Sequence, residues 1–199
     1  MTRPLVVSAT LATLLAGRAV AAQTPCNHLI SGRTALVHGN QHAFIVQAPV
    51  GWVPTFATGA PAAFHREHET WRDGRAVMYV NTATVDSGDA KPPEQVIRED
   101  SSRFADGSPS LRVESLPPVR TMDGREALVR RFLSQETGNL EIVAYVRERT
   151  VTPMIVLSAR TQAAYDSALA SFYALVHSYE FITSDIKLTD SLPCGLTRQ

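Results

Sequence analysis

The densest group of potentially reactive side chains in the sequence is His65-Arg66-Glu67-His68-Glu69. Imidazole and carboxylate groups ligate metals, and a helical H-E-x-x-H or H-x-x-E-H spacing places both imidazoles on one face. Here the spacing is H-x-E-H and the pattern predicts a strand, in which His65 and His68 point to opposite faces. We interpret the group as a solvated strand face, and a metal-dependent or cofactorless hydrolase is the least favoured function.

Other signatures of catalysis are weaker. His38 and His42 flank a predicted turn and could approach each other, but an exposed hairpin end accounts for both. The sequence contains no Gly-x-Ser-x-Gly nucleophile elbow and no glycine-rich phosphate loop. We therefore predict a protein that is not an enzyme and needs no cofactor, and we assign no catalytic, cofactor-binding or metal-binding residues.

Charged side chains of both signs alternate along the second half of the chain. They are Arg125, Arg130, Arg131, Arg147, Arg149 and Arg160, with Glu126, Glu136, Glu141 and Glu148. Mixed signs on neighbouring strands favour cross-strand ion pairs on a wet face over an anion-binding site.

Four aromatic residues, Trp52, Phe56, Phe64 and Trp71, bracket a segment at 55–63 that is rich in small residues, glycine and proline. Tryptophan is enriched at the centres of protein interfaces, so the group is a candidate partner-binding site. Core packing beneath the segment is the competing interpretation.

Residues 1–22 have the pattern of a secretory signal peptide. Arg3 is followed by an uncharged apolar run at 5–16, which is too short for a stable membrane anchor, and small residues precede Ala22 and Gln23. We expect cleavage there and export to the periplasm or the medium.

The remaining residues, 23–199, are expected to form one monomeric domain with its core at about 34–182. Basic and acidic side chains number 19 each in the full sequence, a balance that argues against a nucleic-acid partner. No second apolar run reaches membrane-spanning length.

Cys26 and Cys194 are the two cysteines of the chain. Export would place them where disulfides form and persist, so we expect them to pair and to join the two tails of the domain. Lipidation of Cys26 is the alternative, although Pro25 stands where a lipoprotein signal needs a small residue.

Turn signals divide the chain into short strand patterns and two helices. The predicted strands are 34–37, 43–48, 64–70, 76–84, 111–116, 119–122, 126–134, 140–149, 154–160 and 180–182. Pro49, Gly51 and Pro54 are expected to interrupt strand structure after 43–48. Short turns join only antiparallel neighbours. One helix is predicted from Pro93 to about Ala105, and an amphipathic helix is predicted after Thr161, its N-cap.

Both faces of the predicted sheet are apolar. Ala76, Met78 and Val80 share one strand face while Val77 and Tyr79 share the other. We therefore predict an α+β fold: an α/β/α sandwich around a largely antiparallel sheet, with one helix on each face.

The chain resembles the PsbP-like fold over roughly residues 34–182. The residues that carry the resemblance are Pro49-Val50-Gly51-Trp52, which close an early strand, and the late helix with Ser171-Phe172 that leads into Tyr179-Glu180-Phe181. The family includes an extrinsic subunit of photosystem II, a nuclear-import factor that binds the GTPase Ran, and exported bacterial proteins of undefined role. The resemblance implies a non-enzymatic domain that binds other proteins.

These observations together predict an exported binding domain. Its partner would be a protein or another envelope component, engaged through the end of the fold that carries Trp52 and Trp71. The alternative is a carrier that holds a small apolar ligand between the sheet and a helix.

Overall fold

The structure is a computed structural model and describes residues 28–39, 42–56, 58–83, 91–134 and 140–184. Its strands are β1 (His28–Ser31), β2 (Thr34–Gly39), β3 (His42–Gln47), β4 (Trp52–Thr55), β5 (Ala62–Arg66), β6 (Ala76–Ala83), β7 (Arg112–Arg120), β8 (Glu126–Leu133), β9 (Leu140–Val146), β10 (Thr152–Ala159) and β11 (Glu180–Thr183). Its helices are α1 (Pro93–Gly107) and α2 (Gln162–His177). The predicted signal peptide, Cys26 and Cys194 lie outside the described residues, so export and disulfide pairing stay predictions.

The strands divide between two antiparallel sheets. The larger sheet has the order β4-β5-β6-β10-β9-β8-β7, and the smaller has the order β1-β2-β3-β11. The chain passes from the smaller to the larger at the corner between β3 and β4, where Gly51 adopts a φ of 77° that favours glycine. The predicted α+β class is confirmed, although the sequence patterns did not indicate that there are two sheets.

Several strands differ from the predictions, which did not include β1 or β4 and extended β9 to residue 149. Pro54, which was predicted to interrupt strand structure, lies within β4, an edge strand where a missing N–H is tolerated. The patterns at 111–116 and 119–122 form one strand, β7, in which a register shift between Leu116 and Val119 accommodates two prolines. Strand β5 ends at Arg66 rather than at residue 70, because a turn follows.

The seven-stranded sheet buries both faces, as predicted. One face packs on α2 and the smaller sheet, and its largest buried side chains include Trp52, Phe64, Met78, Ile142, Ile155 and Leu157. The other face packs on α1 through Phe132, Val143, Tyr145 and Val156. Each helix therefore covers one side of the sheet.

The helices begin as the sequence predicts. Thr161 caps α2 by accepting a hydrogen bond from the backbone N–H of Ala164. Pro93 occupies the first turn of α1, where its missing N–H has no partner to lose. Within the described residues, no helix is long and apolar enough to cross a membrane.

A partly buried ionic group joins the two sheets. Arg125 pairs with Asp123 and with Glu148, whose side chain is 5% exposed. The Tyr179 hydroxyl donates to Glu148 at 2.9 Å, and the Phe181 backbone N–H donates to Asp123 at 2.9 Å. We call Arg125, Asp123, Glu148, Tyr179 and Phe181 the junction cluster. The first three belong to the large sheet and its turns. Tyr179 directly precedes β11, and Phe181 lies on β11.

The junction cluster corrects one expectation about the charged residues. A predicted cross-strand ion pair is present where Arg131 meets Glu114, whereas the exposed Arg147 pairs with Glu94 of α1 and not with a neighbouring strand. In the Arg125–Glu148 pair, by contrast, the carboxylate is 5% exposed while the guanidinium is partly exposed. The carboxylate depends on Arg125 and Tyr179 because it has little contact with water.

Replacing Arg125 should therefore destabilise the fold far more than replacing an exposed arginine. We expect Arg125→Met to lower the free energy of unfolding by about 2–4 kcal/mol, because it leaves the carboxylates of Asp123 and Glu148 without their cation. The matched change Arg147→Met, at an exposed pair with Glu94, should cost less than about 1 kcal/mol. Urea denaturation measures both, and equal losses would contradict a structural role for the junction cluster.

Candidate functional site

The residues of the histidine-rich group are spread over a strand end and a turn. His65 lies in β5 with its Nδ1 atom 2.9 Å from the carbonyl oxygen of Arg66, and Glu67 and His68 are exposed in the following turn. Glu69 lies 3.6 Å from the guanidinium of Arg75. Among the residues that the structure describes, no three His, Cys, Asp or Glu side chains are placed to hold a metal ion.

His42 is buried, contrary to the expectation of an exposed hairpin end. Its ring packs over Gly39, where an added Cβ would lie 2.4 Å from Cε1, and it stacks on Phe44 with centroids 5.9 Å apart. Burial, and to a lesser extent the nearby His38, lowers the pKa of His42. The ring is therefore a neutral packing element of the small sheet.

The four aromatic residues of the predicted binding site do not form one patch. Trp52 and Phe64 are buried in the core on the α2 side of the large sheet, and Phe56 packs against that core from its rim. Trp71 meets Tyr79 edge-on, with centroids 5.9 Å apart, and Tyr79 belongs to the α1 side. In this conformation Trp52 and Phe64 present no surface to a partner.

Arg66 seals Trp52 from outside. Its guanidinium carbon lies 5.1 Å from the centre of the Trp52 ring, and its Nη2 donates to the backbone oxygen and the hydroxyl of Ser167, each at 3.1 Å. Because Arg66 lies on β5 and Ser167 on α2, the contact also fastens the helix to the sheet. Trp52 itself is 1% exposed.

Two large apolar side chains are exposed next to the junction cluster. Met122 is 57% exposed and Ile182 is 51% exposed. Each is adjacent in sequence to one partner of the hydrogen bond between Asp123 and the N–H of Phe181, so the backbones of the two residues lie close together. We call Met122 and Ile182 the junction surface. One signal in the sequence could have indicated this surface: Met122 directly precedes the Asp123-Gly124 turn.

A cavity of about 170 Å³ lies between α1 and the large sheet. It is lined by Arg103, Phe104, Gly107, Ser108, Leu111, Phe132, Ser134 and Glu141. The rings of Phe104 and Phe132 stack with centroids 4.8 Å apart, and the hydroxyls of Ser108 and Ser134 share a hydrogen bond. Aromatic walls with a few polar groups are typical of small-molecule sites.

Glu141, a half-buried carboxyl group, lines this cavity, and the buried Asp100 lies close enough to interact with it. Asp100 accepts a hydrogen bond of 2.9 Å from the hydroxyl of Tyr145, and burial raises the pKa of Asp100. Partial burial also raises the pKa of Glu141, whose side chain is hydrogen-bonded to Ser158, and the charge of Asp100 adds to that rise. The cavity wall therefore carries one carboxyl group, that of Glu141 on β9.

Comparison with known proteins finds similarity in folds alone. No protein-family model and no curated protein matches the chain in sequence. Among solved structures, the chain is similar to cyanobacterial PsbP (CyanoP) from Synechocystis sp. PCC 6803, with 14% identity, a TM-score of 0.48, and coverage of 80% of this chain and 99% of that one.

Two further solved structures are similar at the same level. The Ran-binding protein Mog1p of Saccharomyces cerevisiae matches with 14% identity and a TM-score of 0.41, over 69% of this chain and 89% of that one. A protein of Bacteroides thetaiotaomicron VPI-5482 matches with 8% identity and a TM-score of 0.47, over 76% of this chain and 49% of that one. PsbP and Mog1p are the kinds of protein that the sequence resemblance names, and these matches assign no activity or partner to this chain.

Alanine substitutions distinguish a core role from a surface role for the tryptophans. Trp52→Ala should lower the free energy of unfolding by about 3–5 kcal/mol because it empties a filled core site. Trp71→Ala, at a half-buried ring, should cost about 1–2 kcal/mol. Urea denaturation checks both values. A small loss at Trp52 would contradict its placement in the core.

The buried carboxyls predict a specific pH dependence of stability. A carboxyl group whose pKa is raised by folding contributes stability at pH values below its unfolded pKa, and that stability is lost as the pH rises through the folded pKa. The double variant Asp100→Asn/Glu141→Gln should therefore gain thermal stability relative to the wild type as the pH rises from 4 to 8. The exposed Glu126→Gln change is the matched control. Parallel melting-temperature profiles for wild type and double variant would contradict the burial of these carboxyls.

Proposed function

We propose that the chain is an exported, non-enzymatic binding domain that engages a protein partner through the junction surface. The observation that carries this proposal is the exposure of Met122 and Ile182, which flank the two partners of the hydrogen bond between Asp123 and Phe181. Large apolar side chains that are exposed to water gain free energy when a partner covers them. The pattern of residues 1–22 supports export.

The junction surface is supported by a preorganised frame. The turn that carries Met122 is closed by hydrogen bonds between Thr121 and Arg125, with the backbone N–H of Thr121 2.9 Å from the Arg125 oxygen. Asp123 then fixes that turn to β11. A partner would therefore meet two side chains that are already in place, which lowers the entropic cost of binding.

Site-specific crosslinking tests this proposal. A photo-crosslinking amino acid at position 122 or 182 of the full chain, expressed in its native envelope, should give one product with the same partner from both positions. Val50 and Val113, which are 83% and 40% exposed, are the control positions and should not give it. Equal products from all four positions, or none from 122 and 182, would contradict the proposal.

Charge substitution checks the same partner by affinity. Met122→Asp and Ile182→Asp should each weaken binding of the captured partner by at least about tenfold, since a buried apolar contact is worth about 1.5–3 kcal/mol. Val50→Asp introduces the same charge at a more exposed position and should leave binding unchanged. Melting temperatures establish that the variants are folded.

The cavity beneath α1 supports a second candidate function, the binding of a small ligand. It lies between the sheet and a helix, as the predicted carrier role requires, and two stacked phenylalanines contribute to its walls. Glu141 makes the cavity more polar than a carrier of a wholly apolar ligand would need.

A further inference from the structure

Glu141 is a half-buried carboxyl group at the cavity wall. Its side chain is hydrogen-bonded to Ser158, and the charged group that influences it most is the like-charged Asp100. A carboxylate removed from water is costly unless a positive charge or several donors compensate it. When ionised, Glu141 therefore places a negative charge at the cavity wall, and no cation among the described residues forms a salt bridge with it.

Arg103 does not supply that counter-ion. It is the cationic residue among the lining residues in the described part of the chain, and its side chain is 76% exposed. Its guanidinium lies 3.4 Å from Asp100 Oδ1, so its charge is directed to that carboxylate and to water.

Two further features of the cavity favour a cation. The C-terminal end of α1 lines it at Gly107, and the last turn of this helix contains no basic residue. Backbone carbonyl groups at a helix C-terminus carry partial negative charge, which attracts cations. The phenyl rings of Phe104 and Phe132 add aromatic faces of the kind that bind ammonium groups.

We propose that this cavity binds a small organic cation, with its ammonium group at Glu141 and its apolar body against Phe104 and Phe132. The volume of 170 Å³ is roughly that of five or six water molecules, which limits the ligand to about one ring or a short chain. The inference rests on the second candidate function and names the ligand class. It is independent of the junction surface.

A pair of probes with one shape and different charge tests the inference. Benzylamine, which is a cation at pH 7, and benzyl alcohol, which is neutral, are titrated into the full chain by calorimetry. We expect benzylamine to bind at least tenfold more tightly. Glu141→Gln should remove this preference, while Glu126→Gln, the same change at an exposed position, should retain it.

A cavity-filling variant locates the binding independently of the carboxylate. Gly107 lines the cavity and an added Cβ there meets nothing within 4 Å, so Gly107→Leu should narrow the cavity and weaken binding of both probes without unfolding the domain. Tighter binding of the alcohol would overturn the cation assignment and leave the small-ligand role intact. Binding of neither probe to the wild type, or binding that both Glu141→Gln and Gly107→Leu leave unchanged, would overturn the cavity as the site.

Discussion

The ionic group of Arg125, Asp123 and Glu148 is the polar interaction that links the two sheets, because Tyr179 and Phe181 complete it. Removing a carboxylate and a guanidinium from water costs several kcal/mol per ion unless geometry and extra hydrogen bonds offset the loss. Here Arg125 bridges Glu148 and Asp123, and Tyr179 and Phe181 supply a hydroxyl and a backbone N–H to the same carboxylates. The small sheet thus completes an ionic group that the large sheet begins, which fixes the two relative to each other.

The proposed binding features depend on the junction cluster to different degrees. Met122 and Ile182 owe their proximity to the hydrogen bond that anchors the turn to β11. Trp52, the first residue of β4, closes the core beneath Arg66 and serves the fold rather than the surface. The acidic cavity lies on the other face of the large sheet, under α1, so changes there can alter ligand binding while the junction cluster stays intact.

Local sequence patterns predicted both helices and most strands, but they did not predict contacts between residues that are far apart in the sequence. The spacing of apolar residues predicted α2, and Thr161 is its cap, because both depend on neighbours three or four positions away. The division into two sheets depends on β11 pairing with β3, and the seal over Trp52 depends on Arg66 reaching Ser167, 101 positions later. The same holds for the approach of Asp100 to Glu141. The spacing of residue types along the chain carries no information about such contacts. The sequence was therefore compatible with either core packing or partner binding by Trp52.

A double-mutant cycle on Arg125 and Glu148 tests the central claim most directly. Unfolding free energies are measured for the wild type, Arg125→Met, Glu148→Gln and the double variant. The structure predicts a coupling energy of about 1–3 kcal/mol, because neutralising Glu148 relieves most of the cost of losing Arg125. Additivity of the two single changes within about 0.5 kcal/mol would show that the pair does not act as a unit and would contradict this account of the junction.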